Sequence, residues 1–234
     1  MATKTRGLLL VGTDTNVGKT SLAAGLLRLA ARKRFRLVPF KPVETGCQPI
    51  AQDAARLLDA AALPGLSPRD VCPIQLVPPV APATAARLAA AEIRPEVLVA
   101  AATAMRHRGD ALLVESAGGL LTPYGPGMTS ASLANLFDVD VLLVSANRLG
   151  TINHTALALA ELTRRQLPVV GWVLVHVSPA WTPDQPHNAA EITALTGRPP
   201  LGTLRYCPDP TPDTLADAVA ADLALGTLLG GALT

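Results

Sequence analysis

The chain has 234 residues, of which 49% are hydrophobic and only 3% aromatic, and its formal net charge at pH 7 is +2. This length suits one α/β domain over residues 1–234, with a core built mainly from alanine, leucine and valine. A charge so close to zero gives no reason to expect a nucleic-acid or membrane partner. The basic residues near residues 28–36 are interpreted as a solvated helix end.

Three cysteines, Cys47, Cys72 and Cys207, lie far apart and form no Cys-x-x-Cys pair. This pattern is typical of reduced thiols in a cytoplasmic protein. After residues 1–6 there are too few apolar residues for a secretory signal, and no apolar run reaches the roughly eighteen residues of a membrane helix. We therefore expect an untargeted, cytoplasmic protein.

Apolar runs of strand length alternate with helical patterns along the chain, which predicts a mostly parallel sheet with helices on both faces. The predicted strands are residues 7–11, 36–40, 110–115, 139–144 and 169–175. The predicted helices are residues 21–32, 54–62, 95–107, one ending near residue 166, and a surface helix over residues 214–229 with Asp217 and Asp222 on its polar side. Pro39 places the second strand near an edge, and the proline-rich residues 64–84 predict an ordered wrapping loop.

The segment from Gly12 to Thr20, Gly-Thr-Asp-Thr-Asn-Val-Gly-Lys-Thr, stands between the first strand and the first helix. In that context a glycine loop is typical of phosphate binding, which we favour over an ordinary turn. Lys19 is expected to reach the β- and γ-phosphates, and the Thr20 hydroxyl to ligate Mg²⁺. The spacing departs from the usual pattern, because five residues separate Gly12 from Gly18 and Thr13 occupies the place of the first glycine.

Polar residues also follow three other predicted strands, namely Lys41, Glu115 and the segment 147–154. Ligands of open parallel sheets bind outside the carboxyl ends of the strands, so we expect these residues and the glycine loop to form one site. A carboxylate closing an apolar strand is costly unless it is paired or metal-bound, which favours Glu115 as a ligand. Thr20, Asp53 and Glu115 could together hold Mg²⁺, although Asp53 alone would suit a helix N-cap equally.

Lys41 supplies a second positive charge for a transferring phosphoryl group, the alternative being a surface lysine. Thr45–Gly46 and Gly150–Asn153 are small polar segments, and N–H groups of the second could bind a carboxylate. His154 could act as a base, but no nucleophile accompanies it, so a structural or helix-capping role is favoured. The other histidines show no metal-ligand spacing, and we expect no zinc site.

Four segments together resemble the dethiobiotin synthetase family over essentially the whole chain: residues 12–20, Lys-Pro-Val-Glu-Thr-Gly at 41–46, Val-Glu-Ser-Ala-Gly-Gly at 114–119, and Leu-Gly-Thr-Ile-Asn-His-Thr at 149–155. The five-residue loop spacing is that family's own variant. The resemblance implies a P-loop NTPase fold and a homodimer that closes a ureido ring on 7,8-diaminononanoate. CO₂ would form a carbamate, ATP would phosphorylate it, and the second amine would displace phosphate.

The resemblance also implies roles for individual residues. The catalytic residues would be Lys19, Lys41 and Thr15. The ligands of Mg²⁺ would be Thr20, Asp53 and Glu115. The diamine substrate would meet Thr15, Lys41, Thr45 and Gly118, with Gly150, Thr151 and Asn153 of the partner subunit at its carboxylate. ATP would contact Asn16, Val17, Gly18, Lys19, Thr20, Ser21, Asp53, Glu115, Ser116, Ala117, Gly118, Val175, His176, Leu204, Arg205 and Tyr206.

The chain departs from the family's pattern at three places. Ser116 stands where glycine is usual, which could crowd the loop or add a hydroxyl contact. Val175 and His176 follow in the segment after Trp172 that normally supplies an adenine-reading asparagine, and Arg205 replaces a proline. We therefore predict a looser choice of nucleotide than ATP alone.

Two other classes of protein share this N-terminal pattern. Partitioning or septum-site ATPases carry an additional lysine early in the phosphate loop, where this chain has residues 13–15, and often a basic C-terminal helix. The amidotransferase synthetases of cobalamin biosynthesis need a glutaminase domain for which the chain is too short. A switch ATPase acting through a protein or membrane partner is kept as the alternative function.

Overall fold

The structure, a computed structural model, describes residues 7–234. Its strands are β1 Gly7–Gly12, β2 Leu37–Phe40, β3 Val43–Thr45, β4 Ile74–Leu76, β5 Ala111–Gly119, β6 Pro123–Gly125, β7 Met128–Thr129, β8 Val139–Ala146, β9 Val169–Val175 and β10 Thr203–Leu204. Its helices are α1 Lys19–Arg32, α2 Gln52–Ala61, α3 Pro68–Val71, α4 Pro82–Leu88, α5 Pro95–Arg106, α6 Leu133–Phe137, α7 Thr151–Arg164, α8 Gln185–Thr196 and α9 Pro212–Asp222.

Six strands form the main sheet in the order β10-β9-β8-β1-β5-β2, and all of its neighbouring pairs are parallel. The predicted fold class is therefore confirmed. Every residue of β1 is buried, which is the expected state of a central strand covered on both faces. β2 pairs only with β5 and lies at the sheet edge, where Pro39 is tolerated because it need not donate a ladder hydrogen bond.

Helices α1 and α9 pack closely against each other. A Cβ atom at Gly25 of α1 would lie 2.6 Å from Val219 Cγ2 and 2.8 Å from the carbonyl oxygen of Leu215. Glycine is thus needed where the two helices approach. Arg32, at the end of α1, pairs with Asp213 and Asp217 of α9, so the basic end of α1 is partly neutralised within the chain.

Two predicted elements are corrected by the structure. The last helix ends at Asp222 rather than near residue 229, because Leu223 is extended and forms a bridge with Gly202. Asp222 is not on a solvated face: its side chain is only 11% exposed and pairs with Arg205. The proline-rich residues 64–84 are not a continuous loop, since they contain α3, β4 and the start of α4, and β4 pairs in parallel with β3.

Other expectations concern residues outside the sheet. All three cysteines carry free thiols, as expected. Over residues 7–234, no helix combines the length and hydropathy needed to cross a membrane. The prediction that residues 1–6 carry no secretory signal falls outside the residues that the structure describes.

Candidate active site

The predicted phosphate loop does connect β1 to α1, and Lys19 is the first residue of the helix. Lys19 is 6% exposed, and its Nζ donates a hydrogen bond to the carbonyl oxygen of Asp14 at 3.0 Å. Gly18 has a positive φ of 92°, and a Cβ at this position would lie 2.6 Å from Val175 Cγ1. The glycine is therefore required by its backbone conformation and by the close approach of β9.

A buried ion cluster lies beside this loop. Lys41 Nζ is 2.6 Å from Glu115 Oε1 and 2.9 Å from Asp53 Oδ2, and the side chains of Lys41 and Glu115 are 4% and 1% exposed. Thr20 Oγ1 donates to the same Glu115 oxygen at 2.9 Å. The structure thus brings together Thr20, Lys41, Asp53 and Glu115, although Glu115 lies inside β5 rather than at its end.

The two lysines differ in their electrostatic surroundings. Burial lowers the pKa of Lys19 to about 8, a shift that the nearby Glu115 only partly offsets. Burial would also lower the pKa of Lys41, but the facing Glu115 and Asp53 carboxylates outweigh it and raise that pKa. The pKa of Asp53 is lowered, because Lys41 overcomes the opposing effect of burial. Lys41 therefore stays positively charged. Because its side chain is buried, it is not the surface lysine of the alternative interpretation.

The helix that carries Asp53 is capped from a distance by Glu44. Its Oε1 accepts a hydrogen bond from the Asp53 amide and its Oε2 accepts one from the Ala54 amide, both at 3.0 Å. The N-cap residue itself is Ala51, which offers no side-chain acceptor, so the N-cap interpretation of Asp53 is wrong. Glu44 is 7% exposed, and the sequence analysis assigns it no role, because its partners are amides nine and ten residues further along the chain.

Oxygen donors for a divalent cation are present in this cluster. Glu115 Oε2 is buried and has no hydrogen-bond partner among the described residues. Two carboxylates and the Thr20 hydroxyl form a hard-oxygen set of the kind that Mg²⁺ takes, usually together with phosphate oxygens and water. Within residues 7–234 no group of three His, Cys, Asp or Glu side chains could hold a metal, so a cation here would depend on ligands from the nucleotide.

The loop after Glu115 is held by hydrogen bonds from the turn that follows it. The Ala117 amide donates to Tyr124 Oη at 2.7 Å, and the Gly119 amide donates to Thr122 Oγ1 at 2.9 Å. Tyr124 is fully buried, and burial raises its pKa to about 12. The hydroxyl of Ser116 is buried and makes no described hydrogen bond, so the serine adds an unpaired polar atom beside Glu115.

These residues line one cavity of about 600 Å³. Nearly all the predicted site residues lie on its wall: Thr15, Asn16, Gly18, Lys19, Thr20, Ser21, Lys41, Thr45, Asp53, Glu115, Ser116, Ala117, Gly118, Val175, His176, Leu204, Arg205 and Tyr206. The wall also includes residues that sequence reasoning missed: Glu44, Arg56, Val177, Cys207, Pro208, Pro210 and Leu215.

Four predicted site residues and His154 do not line this cavity. Val17 belongs to the phosphate loop, but its side chain is buried in the core. Gly150, Thr151 and Asn153 lie at the start of α7, and Asn153 borders a separate groove between α7 and α8. None of the residues 147–154 lines the cavity, but Arg148 pairs with Asp14 of the phosphate loop and Asn147 Nδ2 lies 3.3 Å from His176 Nε2. The expectation that this segment belongs to the site stays a prediction. His154 is exposed and is not the N-cap of α7, which is Gly150.

The residues that follow β9 and β10, Val175–Val177 and Leu204–Pro208, form another part of the cavity wall, which we call the base end. Arg205 lies here, and its guanidinium is held by Asp222, with 2.8 Å between Arg205 Nε and Asp222 Oδ2. The Arg205 amide also donates to Asp222 Oδ2 at 2.9 Å. Arg205 is therefore already paired in this structure.

Comparison with known proteins places the chain among nucleotide-dependent enzymes. Residues 6–214 match a family model described as an AAA domain. The chain is 43% identical over 206 residues to the ATP-dependent dethiobiotin synthetase BioD of Anaeromyxobacter dehalogenans strain 2CP-C, covering 87% of this chain and 92% of the relative. It is 37% identical over 225 residues to the protein of the same name from Pseudomonas aeruginosa strain UCBPP-PA14, covering 94% and 96%.

Solved structures of low sequence identity share the fold. A ParA family ATPase from Chlorobium tepidum aligns with a TM-score of 0.53 at 13% identity, over 98% of this chain and 97% of that one. The cell division ATPase MinD of Pyrococcus furiosus aligns with a TM-score of 0.53 at 13% identity, over 92% of this chain and 98% of that one. These similarities concern architecture alone and add nothing in favour of the switch-ATPase alternative.

Proposed function

Because the chain belongs to the family of ATP-dependent dethiobiotin synthetases, the ligases that form dethiobiotin in biotin biosynthesis, we propose the reaction in detail. The substrates are 7,8-diaminononanoate, CO₂ and ATP, and the products are dethiobiotin, ADP and phosphate. The observation that supports this best is the Lys41–Glu115–Asp53 cluster, which lies in the same cavity as the phosphate loop and Thr45.

The reaction joins two anions, and the site is built to neutralise them. One amine takes up CO₂ and loses a proton, which gives a carbamate. A carbamate oxygen attacks the γ-phosphorus, ADP leaves, and the second amine then displaces phosphate by breaking the carbon–oxygen bond. Lys19 and Lys41 lie on the cavity wall where the negative charges of triphosphate and carbamate meet, so they act by positioning and charge stabilisation rather than as nucleophiles.

The positive charge of a bound Mg²⁺ would reduce the repulsion between the triphosphate and the carbamate. Thr20, Asp53 and Glu115 are the residues that would hold it, and the unpaired Glu115 Oε2 supports this set. Glu44 would keep Asp53 in place through the two α2 amides. Thr15 and Thr45, which line the cavity near the cluster, would contact the diamine.

A homodimer would complete the substrate site. Gly150, Thr151 and Asn153 do not line the cavity of their own chain, yet they form the first turn of α7, a helix N-terminus that suits a carboxylate. We propose that these residues bind the substrate carboxylate from the neighbouring subunit. Sedimentation should show a dimer, and Asn153→Leu should raise the KM for the diamine without changing that for ATP. A monomer with full activity would exclude this arrangement.

The test of the function is a coupled product analysis. Phosphate release is followed with Mg²⁺, ATP and bicarbonate, with and without 7,8-diaminononanoate, while mass spectrometry measures dethiobiotin. We expect phosphate release to require the diamine and to match dethiobiotin one for one. Omitting bicarbonate should abolish both. Slow hydrolysis that ignores the diamine would reject the substrate assignment and return the switch-ATPase alternative.

A further inference from the structure

The apolar end of the cavity contains one histidine whose hydrogen-bonding state is fixed by its neighbours. His176 follows β9 and lines the cavity together with Val175, Leu204 and Leu215. Apolar side chains with a few polar groups suit a nucleobase, and the phosphate-loop residues Gly18 and Lys19 line the same cavity. The inference below rests on the proposed use of a nucleotide at this site.

Asn147, buried at the end of β8, links His176 to the protein interior. Its Nδ2 lies 3.3 Å from His176 Nε2 and 3.3 Å from the carbonyl oxygen of Gln185. Its Oδ1 accepts a hydrogen bond of 2.8 Å from Asn188 Nδ2, which also donates to Asp184 Oδ2 at 3.1 Å. The Asp184 carboxylate fixes Asn188 as the donor, because a carboxylate accepts hydrogen bonds and does not give them.

The donor and the acceptor of each hydrogen bond between these side chains follow from the two groups that can only accept, the Asp184 carboxylate and the Gln185 carbonyl. Asn188 presents its NH₂ group to Asp184 and Asn147, so the Asn147 oxygen faces Asn188 and its NH₂ faces outward. The Gln185 carbonyl, which can only accept, independently requires the same orientation of Asn147. His176 Nε2 must therefore accept a hydrogen bond from Asn147, and in the neutral imidazole the proton is then on Nδ1.

Arg205, which lies on the same cavity wall, is already paired. The Arg205 guanidinium is bound to Asp222, whose two oxygens are both used by Arg205. Asp222 also lies within electrostatic range of His176, but its hydrogen-bonding capacity is directed to Arg205. The Nδ1–H group of His176 is thus the ring donor left for a ligand at this end.

We propose that His176 is the nucleobase-selecting residue and that its Nδ1–H group donates to N7 of a bound purine, with Asn147 and Asn188 as positioning residues. N7 is an acceptor in adenine and in guanine alike. A site that reads N7 alone does not distinguish the two purines. Recognition through N7 would therefore allow both ATP and GTP to bind, which agrees with the looser choice of nucleotide predicted from the sequence.

Tautomer analysis by NMR tests the hydrogen-bond chain directly. In protein labelled with nitrogen-15 on histidine, and assigned with His176→Gln, the His176 ring should carry its proton on Nδ1 at neutral pH. The Asn147→Ala variant should shift the proton toward Nε2, the form usually favoured in solution. A ring protonated on Nε2 in the unaltered protein would overturn the proposal.

Calorimetric binding of nucleoside diphosphates tests the contact itself and does not need turnover. We expect the Kd of 7-deaza-ADP, which has a C–H group in place of N7, to exceed that of ADP by about tenfold, the loss of roughly one hydrogen bond. GDP should bind within about threefold of ADP, a difference of about 0.7 kcal/mol, because N7 is an acceptor in both purines. His176→Phe should bind ADP and 7-deaza-ADP equally, whereas His187→Phe, at an exposed position of α8, should keep the difference.

Equal Kd values for ADP and 7-deaza-ADP in the unaltered protein would overturn the proposal, whatever the reaction proves to be. Conversely, a protein that discriminates the two nucleotides but forms no dethiobiotin would retain His176 as the base-reading residue and reject the proposed function. The two failures are therefore distinguishable.

Discussion

The two ends of the cavity are built from different interactions. At the phosphate end, Lys41 Nζ lies 2.9 Å from Asp53 and 2.6 Å from Glu115, and the side chains of Lys41 and Glu115 are buried. At the base end, His176 lines the cavity together with Val175 and Leu204, and the Asn147 and Asn188 amide groups orient it through distances of 2.8–3.3 Å. Removing a buried charge leaves its partner unpaired, whereas removing a neutral donor costs about one hydrogen bond. We therefore expect rate effects at the first end and affinity effects at the second.

The largest expected effect is that of Lys41→Met. Loss of this charge leaves Glu115 and Asp53 facing each other without a cation and removes a group that meets the transferring phosphoryl group. We expect kcat for dethiobiotin formation to fall by about 10²- to 10³-fold and the free energy of unfolding to fall by about 3 kcal/mol. Lys33→Met, at the exposed end of α1, is the matched control and should change neither quantity. A Lys41→Met variant that keeps a tenth of the activity would contradict the cluster's role.

Glu44→Ala should have the next largest effect. It removes both acceptors of the Asp53 and Ala54 amides, which have no other cap. We expect a loss of about 2 kcal/mol in unfolding free energy and faster hydrogen exchange of these two amides. Glu44→Gln keeps one acceptor and should recover part of the stability. If both variants unfold like the unaltered protein and keep slow exchange at Asp53, the distant cap is not what positions this carboxylate.

The same division explains what the sequence could predict. Lys19 and Lys41 stand in short motifs after predicted strands, and Glu115 closes an apolar run, so local context predicts all three, although β5 continues past Glu115 to Gly119. Glu44 was missed because its partners are the amides of residues 53 and 54, on an element that no motif links to it. The His176 network joins Asn147, His176 and residues 184–188 through two amide side chains and the Asp184 carboxylate, and no spacing rule connects residues that far apart.

Asp222 shows the limit of patterns on a single helix. Helical periodicity placed it on the solvated side of the last helix, but it pairs with Arg205 beyond β10, which only the tertiary fold brings near. The expected helix over residues 214–229 failed for the same reason: Leu223 leaves the helix to pair with Gly202. Local helix propensity predicts that a helix forms here, whereas the bridge between Leu223 and Gly202 decides where it ends.

Asp222→Ala should act at the base end with a smaller effect. It frees the Arg205 guanidinium and leaves the Arg205 amide without its acceptor. Because Arg205 is 62% exposed, solvent screening limits the loss of unfolding free energy to about 1 kcal/mol. We expect the Kd of ADP to change by no more than about threefold, equivalent to about 0.7 kcal/mol, with kcat unchanged. Asp217→Ala, in an exposed pair with Arg32, serves as the control. A large fall in kcat would place Arg205 in the chemistry.

Tyr124→Phe should have the smallest effect on activity and a pH-dependent effect on stability. Tyr124 stays neutral in the folded protein because burial raises its pKa to about 12, whereas in the unfolded chain it ionises above about pH 10. Its ionisation therefore favours unfolding, and stability falls as pH rises from about 10 to 12. Near pH 9 the variant should be less stable by about 1 kcal/mol, the lost hydrogen bond to Ala117. Denaturation at pH 11 should show this difference shrinking, and a constant difference would contradict the assignment.

Transfer of oxygen from CO₂ to phosphate would reveal whether this cavity joins CO₂ to a diamine through a phosphorylated carbamate. A single turnover is run with freshly dissolved carbon dioxide labelled with oxygen-18, and the phosphate is analysed by mass spectrometry. Because the carbon–oxygen bond of the anhydride breaks when the amine closes the ring, we expect one labelled oxygen in phosphate and one in the ureido carbonyl of dethiobiotin. Unlabelled phosphate, released by attack of water on ATP, would contradict this mechanism.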